Sequence, residues 1–283
     1  MPAPSLVHPE PVLCIGGFSP EQLMQTHQAG FSLVEVGFSE IAEKTDTELA
    51  EYTRLLRSLS LKPVAANGFF KTGLGAFFDG SLDLPAVRAY IARAFEASAA
   101  FGLHSIAFGS GFMRRVPEGY DRERAVYGFC DFLCTEVVPY LEKYNTHLNI
   151  EELQSAETNF INSCREAAQM ASQVNSTHVG VLCDYYHMSL AGETAADVPH
   201  FASHIGHVHL ASPSSRRSIP LPADGDETGY HAFFRALAQA DYTGYISIEG
   251  GVAPERDFAA TLAEGYIYTK SLLASYKGEE KQL

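Results

Sequence analysis

The feature that most constrains the fold is a regular alternation of short apolar segments with longer amphipathic segments along the whole chain. The short segments are rich in apolar and β-branched residues, which is typical of strands in a buried parallel sheet. Eight strands are expected, at residues 12–16, 33–37, 63–67, 105–109, 146–151, 179–184, 204–211 and 245–249. Their number and spacing in a chain of 283 residues predict an α/β fold, a (β/α)8 barrel, which typically needs about 250 residues and carries its active site at the C-terminal ends of the strands.

The segments between the strands carry helical signals. Pro20 follows Ser19 at what would be a first helical position, where the missing N–H of proline costs nothing. Further helices are expected at residues 46–58, 85–101, 122–144, 157–174, 230–239 and 258–276. No linker, charge block or low-complexity segment divides the chain. We therefore predict one domain over residues 1–283, with a frayed tail at about 277–283.

Charge and composition exclude several classes of partner. The chain has 20 Lys and Arg against 34 Asp and Glu, a formal charge of −14, whereas binding to nucleic acid depends on cationic contacts to phosphates. The N-terminus does not resemble a signal peptide, and no apolar run approaches the ~20 residues of a membrane span. The five cysteines are scattered, which favours free thiols. We expect a cytoplasmic protein that binds neither nucleic acid nor membrane.

Polar side chains end four successive strands of the predicted barrel. Glu151, Asp184 and Glu249 come at the ends of strands five, six and eight, and strand seven carries His207 and His209 on one side. Consecutive strand ends of a barrel converge on one mouth, so these side chains are expected to meet there. His209 is the better ligand candidate of its pair because it lies nearer the strand end. His207 is expected to be packed or hydrogen-bonded in the interior.

Three carboxylates at one point would repel each other strongly without a cation. A mixed set of oxygen and nitrogen ligands suits Mn²⁺, Mg²⁺, Co²⁺ or Zn²⁺, with coordination positions left for substrate. The strand ends therefore predict a divalent metal site. The loop after strand four, at residues 109–119, would lie at the same mouth, and we expect its Arg114 and Arg115 to be exposed to solvent.

Five motifs together resemble the xylose isomerase-like TIM barrel superfamily, within it most closely enzymes of the D-tagatose and D-psicose 3-epimerase type. They are E-x-x-Q-x-x-E-T-N from Glu151, D-x-x-H from Asp184, H-V-H from His207, R-x-x-P from Arg217 and S-I-E-G ending at Gly250. The resemblance covers the second half of the chain by motif and the first half only by its strand–helix rhythm.

The resemblance implies one divalent ion, Mn²⁺ before Mg²⁺, Co²⁺ or Zn²⁺, and a small sugar or keto-acid substrate. The implied metal ligands are Glu151, Asp184, His209 and Glu249, and the implied substrate-binding residues are Glu157, His187 and Arg217. Either Arg216 or Arg217 could face the site, and the R-x-x-P spacing favours Arg217. Relatives of this kind commonly form homodimers or homotetramers.

The implied chemistry is removal of a proton next to a carbonyl through a metal-stabilised enediolate. Glu151 and Glu249 would be the catalytic bases on the two faces of the substrate, which is how a ketose 3-epimerase inverts a centre. The alternatives within the superfamily are an aldose–ketose isomerase of the hydroxypyruvate isomerase type and a polyol dehydratase. A zinc apurinic endonuclease would need more zinc ligands and a basic DNA-binding face, and a non-catalytic sugar-binding barrel would not need the intact ligand set.

Overall fold

Eight parallel strands close into a barrel in the computed structural model, which describes residues 10–214 and 217–275. The strands pair in chain order, and the eighth pairs with the first. They are β1 (Val12–Cys14), β2 (Leu33–Gly37), β3 (Lys62–Asn67), β4 (Ser105–Phe108), β5 (His147–Glu151), β6 (Val179–Asp184), β7 (Ile205–Leu210) and β8 (Ile246–Ile248). The predicted (β/α)8 barrel is confirmed.

Helices connect the strands and cover the outside of the barrel. They are α1 (Pro20–Gln28), α2 (Phe38–Glu43), α3 (Asp46–Ser58), α4 (Leu84–Ser98), α5 (Arg122–Phe132), α6 (Val138–Tyr144), α7 (Cys164–Val174), α8 (Tyr185–Ala191), α9 (Glu227–Gln239) and α10 (Phe258–Ser275). Because helices cover the outer face and side chains fill the inner one, both faces of the strands are buried. This burial is the physical reason that the strands read as short apolar runs.

The helix expected at residues 157–174 begins only at Cys164, so this prediction was wrong at its N-terminal end. Ile161 has a φ of 64°, a left-handed conformation that a right-handed helix cannot contain. The Ser163 side chain then accepts a hydrogen bond from the backbone N–H of Glu166 and caps the helix. Residues 152–163 therefore form a loop at the mouth of the barrel.

The long helix expected at residues 122–144 is divided. A π-helical segment at Leu133–Val137 separates α5 from α6, and Pro139 follows in the first turn of α6, where its missing N–H is tolerated. Two short helices, α2 and α8, were not predicted. Each begins directly after a strand and has only 6 or 7 residues, too few to show a helical period in the sequence. The helix expected at 230–239 begins three residues earlier, at Glu227.

The predicted tail at 277–283 lies outside the described residues, and the single-domain organisation of residues 1–283 stays a prediction. Among the residues described, no helix is long and apolar enough to cross a membrane.

Candidate metal and substrate site

The four candidate ligands meet at the C-terminal mouth of the barrel. Glu151 and Asp184 are the last residues of β5 and β6, His209 lies in β7, and Glu249 directly follows β8. Asp184 and His209 are aligned partners in the pairing of β6 with β7. One ligand atom from each of the four residues lies within 4.8 Å of the others. The structure therefore brings together the side chains that the strand ends predicted.

The donor set fits a divalent cation. Three carboxylates and one imidazole converge, and within residues 10–214 and 217–275 the buried Oε1 atom of Glu151 has no hydrogen-bond partner. Burial raises the pKa of Asp184 despite the opposing charges of Arg217 and His209, since the charged carboxylate is poorly solvated there. A cation would supply a partner for this Glu151 oxygen, and hard oxygen ligands with one nitrogen suit Mn²⁺ and similar ions.

A buried carboxylate that was not predicted as a site residue pairs with Nε2 of His209. Glu35, in the middle of β2, has its Oε1 atom 3.0 Å from Nε2 of His209 and its Oε2 atom 3.0 Å from Nε2 of His207. All three side chains are buried, and His207 is hydrogen-bonded in the interior as predicted. Burial acts to raise the pKa of Glu35, but the two imidazoles outweigh it and hold that pKa well below its usual range.

Arg217 reaches into the candidate metal cluster. Its Nη2 atom lies 3.2 Å from Oδ2 of Asp184 and 3.5 Å from Oε1 of Glu151, and it contacts Oε2 of Glu249 most closely. The guanidinium also lies over the ring of Tyr186, 5.6 Å from its centroid. The arginine thus places a positive charge among the three carboxylates.

The backbone around Arg217 fixes it near the site. Its φ of 58° is left-handed, which is uncommon for a residue other than glycine, and its carbonyl accepts a hydrogen bond from Gly251 at 2.9 Å. Burial opposes ionisation of Glu249, but His209 and then Arg217 lower its pKa to about 2. Arg216, the alternative to Arg217, lies outside the described residues.

Replacing Arg217 should strengthen metal binding rather than weaken it. A fixed cation beside the ligands opposes a second cation, so Arg217→Met is expected to lower the Mn²⁺ dissociation constant by about 3- to 10-fold, while substrate binding weakens. Isothermal titration with Mn²⁺ alone measures the first effect. Arg256→Met is the matched control, because Arg256 lies on the same side of the barrel but pairs with Glu264. Weaker Mn²⁺ binding in Arg217→Met would show that the arginine supports the metal site.

His187 directs its Nε2 atom toward the carboxylates of the candidate metal cluster. Its Nδ1 atom accepts the backbone N–H of Gln154 at 3.2 Å, so in the neutral ring this hydrogen-bond network assigns the proton to Nε2. Nε2 is buried and has no hydrogen-bond partner in the part of the chain that the structure describes; it lies 3.8 Å from Asp184, 3.9 Å from Glu151 and 4.0 Å from Glu157. Burial lowers the pKa of His187 despite the nearby carboxylates.

Glu157 lies at the rim of the site, in the loop after β5. Its Oε1 atom accepts a hydrogen bond from Nε2 of Gln154 at 2.9 Å, and its side chain is 39% exposed. Glu157 is therefore the most exposed of the predicted site carboxylates, and it lies beside His187.

Arg114 was predicted to be exposed, and this prediction was wrong. Its side chain is fully buried beneath the mouth of the barrel, where Nη2 donates a hydrogen bond to the carbonyl of Glu151 at 2.6 Å. Burial lowers its pKa to about 10, against the attraction of Glu151 and neighbouring carboxylates. The loop after β4 folds inward and covers the end of β5, which no local pattern in this polar, Gly-rich loop reveals. Arg115 is exposed, as predicted.

Asn67 was also missed as a site residue. It ends β3, and its Nδ2 atom donates to Oε1 of Glu249 at 3.0 Å. A polar side chain at the end of an apolar strand was the available signal, and it is the signal by which Asp184 was found. Asn67 also lines a cavity of about 620 Å³ beside the cluster, a size suited to a small molecule. Much of the cavity wall is glycine: Gly16, Gly17, Gly37, Gly68, Gly250 and Gly251.

The fold and the cluster define a parallel eight-stranded barrel with a candidate cation site at its C-terminal mouth. Residues 23–267 match the family described as the xylose isomerase-like TIM barrel, and the chain belongs to this family. The resemblance inferred from the motifs is confirmed.

Its relatives include proteins named as epimerases, which are isomerases. D-psicose 3-epimerase of Agrobacterium fabrum (strain C58) is 25% identical over 227 residues, 78% of this chain and 75% of the relative. Among solved structures, 3-keto-D-glucoside 4-epimerase from E. coli has a TM-score of 0.72 at 20% identity and covers 93% of this chain and 99% of its own. A family 2 AP endonuclease from Brucella melitensis has a TM-score of 0.70 at 21% identity, covering 90% and 97%. These two structural likenesses show the fold alone.

Proposed function

We propose that this protein is a divalent-metal-dependent sugar epimerase/isomerase of the ketose 3-epimerase type. The observation that carries the proposal is the convergence of Glu151 and Glu249, from β5 and β8, with Asp184 and His209 within 4.8 Å. The named epimerases among the relatives support the same reaction class. The preferred ion is Mn²⁺, with Mg²⁺, Co²⁺ or Zn²⁺ as alternatives.

When bound by these four residues, the cation would supply positive charge for an oxyanion that develops beside a carbonyl. Glu151 would accept the proton as a carboxylate base at the end of β5, with one oxygen left for the cation. Asn67 fixes the opposite carboxylate by donating to Oε1 of Glu249. The two glutamates would act from opposite faces of the substrate, one removing and the other returning the proton, so that the centre inverts.

The remaining predicted residues would bind and orient the substrate. Nε2–H of His187 is a buried donor that has no hydrogen-bond partner among the described residues, so it can donate to the carbonyl or hydroxyl oxygen as charge develops. Arg217 is close enough to share that charge, and the partly exposed Glu157 can accept a hydrogen bond from a hydroxyl group.

His187→Ala should lower kcat/KM by roughly 10²-fold, the effect of losing one donor to a developing oxyanion. Mn²⁺ affinity should stay within about twofold, because His187 lies outside the four-ligand cluster. Steady-state kinetics and a Mn²⁺ titration on the same preparation separate the two effects. His200→Ala is the control, because His200 is exposed and precedes the N-terminal end of β7, at the opposite end of the strand from the mouth. Loss of bound metal in His187→Ala would move His187 into the ligand set.

The rival activities share the fold and much of the cluster. An aldose–ketose isomerase or a polyol dehydratase would exchange or lose a different proton, and a phosphodiester-cleaving endonuclease is disfavoured by the charge of −14.

The deciding experiment incubates the Mn²⁺-supplemented protein with a panel of ketoses and 2-keto acids in D₂O and follows them by NMR. Deuterium at C3 with an inverted product supports the proposal, and deuterium or rearrangement elsewhere supports a rival. No exchange with any member would contradict all of the sugar isomerase activities.

The proposal also includes a cytoplasmic location and a homodimer or homotetramer. Sedimentation of the full chain would measure the oligomeric state.

A further inference from the structure

We propose that Glu35 is a positioning residue that decides which nitrogen of His209 is available to the cation. The inference rests on the proposed metal site and adds to it a residue from β2, a strand that contributes none of the four ligands.

The two nitrogens of His209 face different partners. Nε2 lies 3.0 Å from Oε1 of Glu35, whereas Nδ1 lies 3.0 Å from Oε2 of Glu249 and 3.8 Å from Oε1 of Glu151. An ionised carboxylate can only accept a hydrogen bond, so Nε2 must carry a proton to satisfy Glu35. Nδ1 is then the nitrogen that can lose its proton and bind a cation in the cluster.

The second oxygen of Glu35 holds the carboxylate in this orientation. Oε2 lies 3.0 Å from Nε2 of His207, which in turn lies 2.9 Å from Oγ of Ser247. Glu35 is fully buried, and a buried carboxylate is costly unless it is paired and hydrogen-bonded. The imidazoles satisfy that requirement from across the barrel, because β7 and β2 are separated by β8 and β1.

An apolar residue at position 35 would satisfy packing alone. Val34 and Val36 flank Glu35 in the strand and are themselves fully buried. A carboxylate on the interior face, aimed at a candidate ligand, matches the carboxylate–histidine–metal arrangement in which an outer carboxylate fixes the tautomer of the ligand and raises its basicity.

The first test is the Mn²⁺ affinity of Glu35→Gln, measured by isothermal titration of full-length, chelator-treated protein with Mn²⁺ alone. Loss of an outer carboxylate typically lowers metal affinity 10- to 100-fold, so the Mn²⁺ dissociation constant is expected to rise by about that factor. Circular dichroism and the thermal transition of the metal-free protein are recorded alongside. A role confined to packing would change the transition and leave the dissociation constant unchanged.

Ser247→Ala is the matched control. It removes a buried hydrogen-bond partner of His207 within the same network, and the Ser247 hydroxyl pairs with His207 although His209 is its neighbour in the sheet. Its Mn²⁺ dissociation constant is expected to stay within about twofold of wild type, since the tautomer of His209 does not depend on it. Equal weakening in Ser247→Ala and Glu35→Gln would overturn the specific role of Glu35 and indicate general loosening of the interior.

A second measurement needs no variant. Two-bond ¹H–¹⁵N correlation spectra of the Zn²⁺-loaded, ¹⁵N-histidine-labelled wild-type protein identify which nitrogen of His209 binds the diamagnetic ion. Zn²⁺ on Nδ1 with a proton on Nε2 supports the proposal, and Zn²⁺ on Nε2 overturns it even if Glu35→Gln fails to fold. Wild-type protein that binds neither ion would overturn the proposed function itself, whereas tight binding that Glu35→Gln leaves unchanged overturns only the role of Glu35.

Discussion

Glu151→Gln and Glu249→Gln are each expected to lose inversion of the substrate, with turnover lowered roughly 10²- to 10⁴-fold, the range for removing a general base. Glutamine keeps the size and one ligand oxygen but has no basic carboxylate. Inversion through a planar intermediate needs a base on each face, and these two glutamates approach one point from β5 and from the residue after β8. One variant can still exchange the proton on its own intact face.

The measurement compares solvent deuterium exchange with product formation for both variants, each with its metal occupancy determined. Exchange without inversion in one variant identifies the face served by the remaining glutamate. Glu43→Gln is the control, because Glu43 lines the neighbouring cavity but pairs with Lys71 at 3.1 Å. A metal-loaded variant of either glutamate that inverts its substrate at nearly the wild-type rate would refute the two-base mechanism.

Asp184→Asn is expected to lose the metal and, with it, activity. Asp184 is fully buried, and its Oδ2 atom faces the cluster while Oδ1 accepts the backbone N–H of Tyr186 at 2.8 Å. An asparagine whose amide oxygen keeps the contact with Tyr186 would turn its NH₂ group, which cannot bind a cation, toward the cluster. Helix α8 should therefore remain while Mn²⁺ affinity falls about 10²-fold or more, as expected when an ionised ligand is removed.

Elemental analysis after dialysis and a chelator titration of wild type test this expectation. Asp226→Asn is the matched control, since Asp226 accepts a hydrogen bond from Tyr185 beside the same helix but lies outside the cluster. Wild-type protein that keeps full activity after its metal is removed would contradict the proposed dependence on metal. Unchanged metal content in Asp184→Asn would remove Asp184 from the ligand set.

The sequence predicted some residues of the mouth better than others, and the difference follows the kind of signal that each carries. Asp184 and Glu249 stand at the ends of apolar strands, so their exposure to a common mouth could be inferred from strand position alone. Glu35 carries a comparable signal, a carboxylate in the middle of an apolar strand, but interpreting it needs the partner across the barrel. Its hydrogen bond to His209 joins residues 174 positions apart.

The loop residues at the mouth were predicted less well than the strand ends. An amphipathic pattern predicted helix from residue 157, yet Ile161 adopts a left-handed conformation and the loop stays open around Glu157. Arg114 is a charged residue in a Gly-rich loop, which is typical of an exposed position. It is buried because its loop folds inward and brings it to the carbonyl of Glu151. Local propensity is weak in such segments because tertiary contacts decide their conformation.

The sequence by itself determined the barrel and the strand ends that form its mouth, because burial on both faces makes each strand a short apolar run whose position and length can be read along the chain. Only the tertiary structure decided the contacts within the mouth: the pairing of Glu35 with two histidines, the hydrogen bond from Asn67 to Glu249 across 182 positions, and the insertion of Arg217 among the carboxylates. These contacts depend on the closure of the sheet, which brings together side chains that have no relation along the chain.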